Sequence, residues 1–390
     1  MYNKPLIKAY SQKKLNLELY SFYINWKNRY IRTIENSSPK KEYLFYTLDQ
    51  VTLNSAVTCS EAMGYGMVIF PIMSKSDSTA KDHFHAIYNY IKSYPSFYNK
   101  NLMAWQQRKN SQGEIVNSDS ETSSATDGDM DISYGLLLAD KLFNKNNSAN
   151  YKTEALKRIH GLMDSCVNKK DYILTLGDWV DEIEDKKFRY VCRSSDFSSY
   201  IIREFIKVDP INCDKWQHVL KRISSIIAHQ MKRESKHNGL MPDFFMKNKG
   251  NYVVPKFKVL ESNHDGDYYF NSCRIPFRYS MDIILNNRPI TKQLQILNKW
   301  VKSETGLHPK KIKSGYYIAN GHPGKSFGHH KDLSFVAPFL VSSLIDKEND
   351  DWIVSLWDIL IKKPIEKCTF YENTLKLLAM IVASGNWPDL

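Results

Sequence analysis

Helical periodicity is the feature that most constrains what this chain folds into. In twelve segments, apolar residues recur at steps of three and four residues, which is the spacing of one face of an α-helix. Strand-like alternation is weak and confined to stretches such as residues 251–261. The pattern predicts an all-α fold of about twelve helices. The segments span residues 15–31, 55–73, 80–94, 129–144, 151–167, 198–208, 214–234, 274–286, 290–304, 332–345, 350–363 and 369–384.

The connectors between these segments are polar and do not divide the chain into domains. The longest, residues 110–129, is rich in Ser, Asp and Gly, but no connector has the Pro, Gly and Ser content that marks a domain boundary. We therefore predict a single domain over residues 1–390, built from paired helices that close in a ring. Two separate helical bundles are the alternative.

Composition and charge exclude several classes of protein. The chain is 42% hydrophobic and 25% charged, as soluble globular proteins are. No apolar run approaches the ~18 residues of a membrane span. The net charge is +12, but the Lys and Arg residues are scattered and form no nucleic-acid-binding motif. We therefore expect a monomer with no membrane span and no nucleic-acid partner.

The first residues and the cysteines bear on location. The first residues are polar and basic and lack the apolar stretch of a signal peptide. Two interpretations stay open, an intracellular protein and the mature part of a secreted one, and we expect a secreted or cell-surface bacterial protein. The six cysteines lie far apart and fit neither a zinc nor a redox motif, so we expect buried free thiols. They are Cys59, Cys166, Cys192, Cys213, Cys273 and Cys368.

The first segment that can carry chemistry is "SEAMGYGMVIF", where one carboxylate, Glu61, has apolar neighbours. Thr58 or Ser60 is expected to cap a helix there, which places Glu61 in the first turn, where the helix dipole favours the anion. Burial beside Met and Tyr side chains favours the protonated form instead. Glu61 is then either a general acid or a Glu whose hydrogen bonds hold two helices together. Gly64 and Gly66, each costing about 1 kcal/mol relative to Ala in a helix, indicate that something approaches this backbone closely.

The second segment, "ATDGDMDISYGLLLADKLF", brings three carboxylates to the start of an apolar helix. Asp127, Asp129 and Asp131 alternate as in a calcium loop, but the EF-hand pattern fails because no Glu stands at its twelfth position. One helix cap accounts for one Asp, so three indicate a further function.

The third segment, "VLESNHDGDYYFNSCRIPFR", places Glu261 in a loop ahead of a helix. Arg274 and Arg278 are four residues apart and are therefore expected on one helix face, where they would hold carboxylates by forked hydrogen bonds. Pro276 between them is tolerated near the start of a helix.

Together the three segments resemble glycoside hydrolase family 8. The segment around Glu61 resembles that family's helix carrying the catalytic acid. The segment with the three Asp residues is similar to its signature, with Ser133 where the family usually has Ala and Gly135 where it has a small Ser or Ala. Further along, "YYFNSCRIPFR" is similar to the family's arginine-containing motif, with Phe270 at the second Tyr and Ser272 in place of Ala. The shorter stretches "NLMAWQ", "LTLGDWV", "SSDF" and "GLMPDFF" follow in the expected order, so the resemblance runs from about residue 15 to beyond residue 338.

The resemblance implies an (α/α)6 barrel and inverting hydrolysis of β-linked polysaccharides. In one branch of the family the general base is an Asp at the position of Asn271, but an amide cannot accept the proton of a water molecule. A second branch carries Asn there and takes its base from a Glu in the upstream loop, which Glu261 matches. Chitosanases and mixed-linkage β-glucanases are characteristic of that branch.

The resemblance also assigns residues. Glu61 would be the general acid and Glu261 the general base, with Asp265 and Asp267 open as alternative bases, and Asp127 would hold the sugar at the cleavage point in a distorted ring. The predicted substrate-binding residues are Tyr65, Trp105, Asp129, Trp179, Asp196, Tyr269, Asn271, Arg274 and Arg278. We expect no metal and no cofactor, and we interpret His322, His329 and His330 as ordinary loop histidines.

The substrate stays open between chitosan and β-glucan. The net charge of +12 disfavours a polycation such as chitosan, whereas the carboxylates clustered in the three segments favour it locally. We predict an endo-acting hydrolase of a β-1,4-linked polysaccharide. The alternatives are a hydrolase of a bacterial exopolysaccharide, a polysaccharide-binding protein without activity, and a helical scaffold that binds polyanions.

Overall fold

The computed structural model describes residues 3–48, 56–118, 122–143, 150–318, 322–346 and 350–390. Within these ranges the chain forms thirteen α-helices, and each of the twelve predicted segments overlaps one of them. The additional helix is the first. The helices are α1 (Lys4–Ala9), α2 (Gln12–Tyr30), α3 (Ser60–Met73), α4 (Ala80–Ser93), α5 (Thr126–Phe143), α6 (Tyr151–Ser165), α7 (Ser199–Val208), α8 (Cys213–Lys232), α9 (Ile275–Asn286), α10 (Lys292–Glu304), α11 (Leu333–Leu344), α12 (Asp350–Lys362) and α13 (Phe370–Ala383).

Short strands form three small antiparallel sheets in the described residues, with strand orders β1-β2, β3-β4-β5 and β6-β7-β8. The segment predicted as a helix from residue 55 instead begins its described part as strand β3. Of the strands, only β8 falls in the stretch where the sequence showed alternation. The strands are β1 (Ile31–Ile34), β2 (Lys41–Leu44), β3 (Ala56–Cys59), β4 (Gln106–Lys109), β5 (Ile115–Asn117), β6 (Val191–Arg193), β7 (Phe244–Asn248) and β8 (Asn251–Val253).

The fold comprises two compact units that alternate along the chain. The first unit comprises Met1–Tyr23, Tyr190–Tyr200 and His218–Trp387, and the second comprises Ile24–Arg189, Ile201–Gln217 and Pro388–Leu390. The single domain predicted over residues 1–390 stays a prediction.

In the second unit, glycines let α3 and α5 pack backbone to backbone. A Cβ on Gly64 of α3 would lie 2.9 Å from both the Gly128 carbonyl oxygen and the Asp131 Cβ of α5. A Cβ on Gly135 would lie 2.5 Å from the Met67 carbonyl oxygen. The close approach that the sequence indicated at Gly64 is therefore that of helix α5. The start of α3 packs directly against the start of α5.

In the first unit, α11 is buried along its whole length and packs against α9, α12 and α13. Helix α13 buries a lysine, Lys376, whose Nζ donates to the Lys363 carbonyl oxygen at 3.0 Å and lies 3.8 Å from the centre of the Phe22 ring. Burial lowers the pKa of Lys376 to about 8.

The six cysteines are free thiols, as predicted, and all are buried except the half-buried Cys213. Among the described residues, no helix has both the length and the apolarity required to cross a membrane.

Candidate active site

Glu61 lies in the first turn of α3, as predicted, but the cap of that helix differs from the prediction. Helix α3 begins directly after strand β3, so Thr58 belongs to the strand and Ser60 is already the first helical residue. The N-cap is Cys59, whose side chain makes no capping hydrogen bond. One turn further along α3, the buried Tyr65 donates its hydroxyl to Glu61 Oε1 at 2.6 Å.

Asp127 and Asp129 both lie in the first turn of α5 but have different surroundings. Asp127 is 7% exposed, and its Oδ1 accepts a hydrogen bond from the Gly128 backbone at 2.9 Å. Asp129 is fully buried and accepts hydrogen bonds from the Met103 backbone at 3.0 Å and from Arg158 Nη1 at 2.9 Å. Burial raises the pKa of Asp129 to about 7, although Arg158 opposes the shift.

These contacts do not fit the substrate-binding function that the sequence suggested for Asp129. Its carboxylate links α5 to α6 through Arg158, and links α5 to the residues before β4 through the Met103 backbone. Asp129 therefore acts inside the protein.

The two predicted stacking tryptophans keep part of their rings accessible. Trp105 is 36% exposed, and its carbonyl oxygen accepts from the Ser60 backbone at 2.7 Å, which links it to the start of α3. Trp179 is half-buried and makes an edge-to-face contact with Phe188 at 5.2 Å between ring centres. Stacking of sugars on these rings stays a prediction.

Of the predicted sugar-binding residues in the first unit, Tyr269 keeps an accessible ring, whereas four others are buried. Tyr269 is half-buried beside His264 and Phe327, at 5.3 and 5.5 Å between ring centres. These four side chains, and Tyr65 of the second unit, are at least nine-tenths buried. Such burial favours a function in positioning other groups over broad contact with sugar. The buried residues are Asp196, Asn271, Arg274 and Arg278.

The two arginines lie in different elements, and their shared helix face stays a prediction. Arg274 ends the short 3-10 turn Ser272–Arg274 and caps α9, and its Nη2 donates to Asn271 Oδ1 at 3.0 Å. Arg278 lies inside α9, where its Nη1 donates to the Tyr200 hydroxyl at 2.9 Å. The two side chains are therefore placed by different parts of the first unit. Pro276 occupies the first turn of α9, as predicted.

The loop that carries Glu261 is organised by a buried carboxylate, Asp265. Its oxygens accept hydrogen bonds from four successive backbone N–H groups at 2.7–3.1 Å, those of Val259, Leu260, Glu261 and Ser262. Asp267, also fully buried, accepts from the Ile318 backbone at 2.8 Å and pairs with His264 Nδ1 at 3.0 Å. Since a general base must reach water, these contacts disfavour Asp265 and Asp267 as alternative bases.

The Glu261 side chain is 41% exposed and yet held at both oxygens. Arg193 donates from Nε and Nη2 to Oε1, each at 3.0 Å, and Asn271 Nδ2 donates to Oε2 at 2.7 Å. An accessible carboxylate fixed by a cation and an amide is arranged to act on a water molecule.

Two residues of this site were missed in the sequence. Arg193 ends strand β6, just before the "SSDF" stretch, and nothing in its sequence context indicated a partner. Asp243 lies in "GLMPDFF", a stretch in which the resemblance assigns no residue. Asp243 is buried, and burial raises its pKa to about 7, with the charge of Glu261 adding to the shift and donors from Ser272 and Asn271 opposing it.

In the described part of the chain, no three His, Cys, Asp or Glu side chains are grouped as a metal site would require.

The predicted site residues form two groups. Glu61, Tyr65 and Asp127 lie in the second unit, and Glu261, Asn271 and Arg274 lie in the first.

Comparison with known proteins places the chain in a family. The model of the glycosyl hydrolases family 8 matches residues 25–385. A β-glucanase from Niallia circulans is 34% identical over 97% of this chain and 86% of its own length. An endoglucanase from Bacillus sp. (strain KSM-330) is 31% identical over 97% of this chain and 78% of its own length.

A solved structure agrees with these relatives. The apo β-1,3-1,4-glucanase from Paenibacillus sp. X4 superposes with a TM-score of 0.85 at 33% identity, over 97% of this chain and 94% of that one. The fold and these relatives define a glycoside hydrolase of the endo-β-glycanase class. The chain belongs to glycosyl hydrolase family 8, and the predicted (α/α)6-barrel fold class is confirmed.

Proposed function

We propose that this enzyme is an inverting endo-β-glucanase that cleaves β-1,4 bonds of mixed-linkage β-1,3-1,4-glucan, with Glu61 as general acid and Glu261 as general base. The observation that carries the proposal is the geometry at Glu261. Its carboxylate is accessible, while Arg193 and Asn271 hold its two oxygens. Asn271 thus supports a neighbouring base at the position where other members of the family carry the base itself.

In the proposed reaction each carboxyl group moves one proton. Glu61 gives its proton to the glycosidic oxygen as the bond from that oxygen to the anomeric carbon breaks. Glu261 takes a proton from a water molecule whose oxygen bonds to the anomeric carbon on the opposite face, so the configuration inverts. This arrangement requires the two carboxyl groups to stand about 6.5–9.5 Å apart when substrate is bound.

The Tyr65 and Asp127 side chains complete the acid side of the proposed site. The Tyr65 hydroxyl, 2.6 Å from Glu61 Oε1, stabilises the carboxylate that remains after Glu61 has given up its proton. Asp127 lies on α5 and keeps a small exposed area, and we assign it to holding the distorted sugar ring.

The structure and the relatives favour a neutral glucan over chitosan. The carboxylates that gave chitosan local support in the sequence are largely buried: Asp129, Asp131, Asp265 and Asp267 are at most 1% exposed. With those charges inside the protein, a net charge of +12 disfavours a polycationic substrate. The names of the similar proteins, β-glucanase and β-1,3-1,4-glucanase, point to the same substrate. Because such a polymer is too large to enter a cell, we place the enzyme outside it.

The substrate proposal is tested by measuring reducing ends released from barley mixed-linkage glucan, carboxymethyl cellulose and chitosan. We expect the highest kcat/KM on the mixed-linkage glucan and an α-anomeric first product by NMR. Chitosan as the best substrate would overturn the substrate assignment, and a β-anomeric product would overturn inversion. A protein that binds glucan without releasing reducing ends would be a binding protein instead.

Variants of the two Glu residues test the mechanism. Glu61→Gln should lower kcat by at least 10²-fold while sparing glucan binding, because general acid catalysis contributes about 10²–10⁴-fold. Glu261→Gln should lose as much, with partial recovery in azide, a small nucleophile. Glu234→Gln, at a half-buried residue that pairs with Arg233, is the matched control. More than about a tenth of the wild-type rate in either variant contradicts that assignment.

A further inference from the structure

We propose that Asp243 is a positioning residue for the candidate base: it fixes the turn that carries Asn271, and Asn271 orients Glu261. The inference rests on the proposed function, because it takes Glu261 as the group that activates water. No comparison assigns a role to Asp243.

Asp243 gathers the backbone of one turn onto a single buried carboxylate. It stands directly before β7 and is 2% exposed. Its Oδ1 accepts from the backbone N–H groups of Tyr269 and Ser272 at 3.0 and 2.8 Å, and from the Ser272 hydroxyl at 2.6 Å. Its Oδ2 accepts from the Asn271 backbone at 3.1 Å. Because these donors lie within residues 269–272, the carboxylate fixes the conformation of that turn.

This turn sets the orientation of the Asn271 amide. Its Nδ2 lies 2.7 Å from Glu261 Oε2 and 3.4 Å from Asp243 Oδ2, while its Oδ1 accepts from Arg274 Nη2 at 3.0 Å. The nitrogen side therefore faces two carboxylates and the oxygen side faces a cation. A carboxylate at position 271 would stand against two others, and like charges that close resist being ionised together.

The main chain of Asp243 connects it to both other parts of the base. Its N–H donates to the Asp267 carbonyl oxygen at 2.9 Å, in the segment that follows Glu261. Its carbonyl oxygen accepts from the Ser194 backbone at 3.0 Å, one residue after Arg193. Asp243 thus ties together the segments that hold Glu261 at each of its oxygens.

The test is a kinetic double-mutant cycle with Asp243→Asn and Asn271→Ala. In Asp243→Asn an N–H₂ group faces donors that need an acceptor, so the turn and with it Glu261 are misplaced. We therefore expect kcat to fall about 10–100-fold, with KM within twofold of wild type. Because Asp243 acts through Asn271, the double variant should lose no more than Asn271→Ala alone. Wild-type kcat in Asp243→Asn, or losses that multiply, would overturn the inference.

A matched control separates positioning from stability. Asp209 in the second unit is also a buried carboxylate, which accepts from Asn212 and from Trp216 Nε1. Asp209→Asn should weaken folding and leave kcat unchanged, in the wild type and in Asn271→Ala alike. Asn271→Asp should lower kcat at least tenfold, and full activity in that variant would overturn the argument for an amide.

Urea unfolding of the wild type, Asp243→Asn, Asn271→Ala and the double variant tests the network without relying on activity. We expect Asp243→Asn and Asn271→Ala to be coupled by at least tenfold in the unfolding equilibrium constant, because the two residues share hydrogen bonds. Independent effects overturn the inference. Coupling in a wild-type protein inactive on every glucan supports the network and contradicts the proposed function instead.

Discussion

A phenol one helical turn from a carboxyl group decides how the candidate acid behaves. Tyr65 follows Glu61 by four residues, so both side chains lie on the same face of α3, and the hydroxyl donates to Glu61 Oε1 at 2.6 Å. This hydrogen bond fixes the orientation of the Glu61 carboxyl group. The geometry of the candidate acid therefore depends on one phenol oxygen.

Removing that oxygen tests its contribution. In Tyr65→Phe the Glu61 carboxyl group loses the hydrogen bond that orients it. We expect kcat to fall about tenfold, within the range of general acid catalysis. Tyr20→Phe, at an exposed residue, is the control. An unchanged kcat would show that the phenol has no influence on the acid.

Arg193 gives the corresponding test on the base. Arg193→Gln removes the cation that holds Glu261 Oε1 at 3.0 Å, so the carboxylate loses a fixed position and kcat should fall. Arg233→Gln, at an exposed pair with Glu234, controls for the loss of charge. If both variants keep the wild-type kcat, Arg193 does not position Glu261.

At the scale of elements, the sequence predicted long helices well and short strands poorly. Helices of ten or more residues leave several turns of apolar periodicity, as in α8, whereas three-residue strands such as β6 leave no pattern to recognise. The glycines of α3 were recognised as a sign of close approach, but the partner helix α5 was not, because packing between distant segments leaves no local signal. The position of Glu61 in a first turn was predictable, since the apolar run that follows it defines the helix.

The packing of α3 on α5 makes a prediction about Gly64. Ala is the better helix former by about 1 kcal/mol, yet Gly64→Ala should lower the free energy of unfolding by about 1–3 kcal/mol because its methyl group meets the backbone of α5. Gly66→Ala in the same helix meets only the ends of the Leu44 and Ile87 side chains and should cost less. Urea unfolding compares the two, and an equal or larger loss in Gly66→Ala would contradict this account.

The buried Lys376 makes α13 less stable than an apolar residue would. Its pKa of about 8 lies below the ordinary value, so the folded state releases this proton first, and the stability gained from Lys376 rises as the pH increases from about 8 to 10.5. Lys376→Met should therefore raise the free energy of unfolding at pH 7 by about 1–3 kcal/mol and remove this pH dependence. Lys362→Met, on the surface of α12, is the control. A loss of stability in Lys376→Met would show that its contacts with Phe22 and Lys363 outweigh desolvation.

At the scale of the whole molecule, two buried carboxyl groups couple folding to pH. Asp129 in the second unit and Asp243 in the first both have pKa values raised to about 7. Between about pH 4 and pH 7 the folded state holds these protons more tightly than the unfolded state, so their contribution to stability falls as the pH rises through that window. At lower pH, Glu42 and Asp209 have the opposite effect, because hydrogen bonds outweigh burial and lower their pKa values. Their contribution to stability falls as the pH decreases.

We therefore expect the free energy of unfolding to be higher at pH 5 than at pH 8. Urea unfolding at the two pH values measures the difference, which Asp129→Asn and Asp243→Asn should each reduce. Asp164→Asn, at an exposed residue on α6, should leave the difference unchanged. Equal stability of the wild type at both pH values would contradict the assignment.

The sequence proposes the candidate reactive groups of the site but not the residues that hold them. Glu61 and Glu261 lie in motifs that resemble a family, but Arg193 is 68 residues from Glu261 and Asp243 is 28 residues from Asn271. Such pairs form only when the chain folds, and a single sequence has no pattern that joins them. The burial of Asp265 and Asp267, which disfavours them as bases, is likewise set by the fold and leaves no local pattern in the sequence.

The four amide groups that converge on Asp265 have a consequence for engineering. Because the main chain at residues 259–262 is held from within, the preceding exposed side chains, Lys256, Phe257 and Lys258, can be randomised without moving Glu261. A combinatorial library at those three positions would alter the outer surface of the loop while its anchored half keeps the candidate base in place. Evolution has the same freedom, so relatives that act on different polymers are expected to diverge here first.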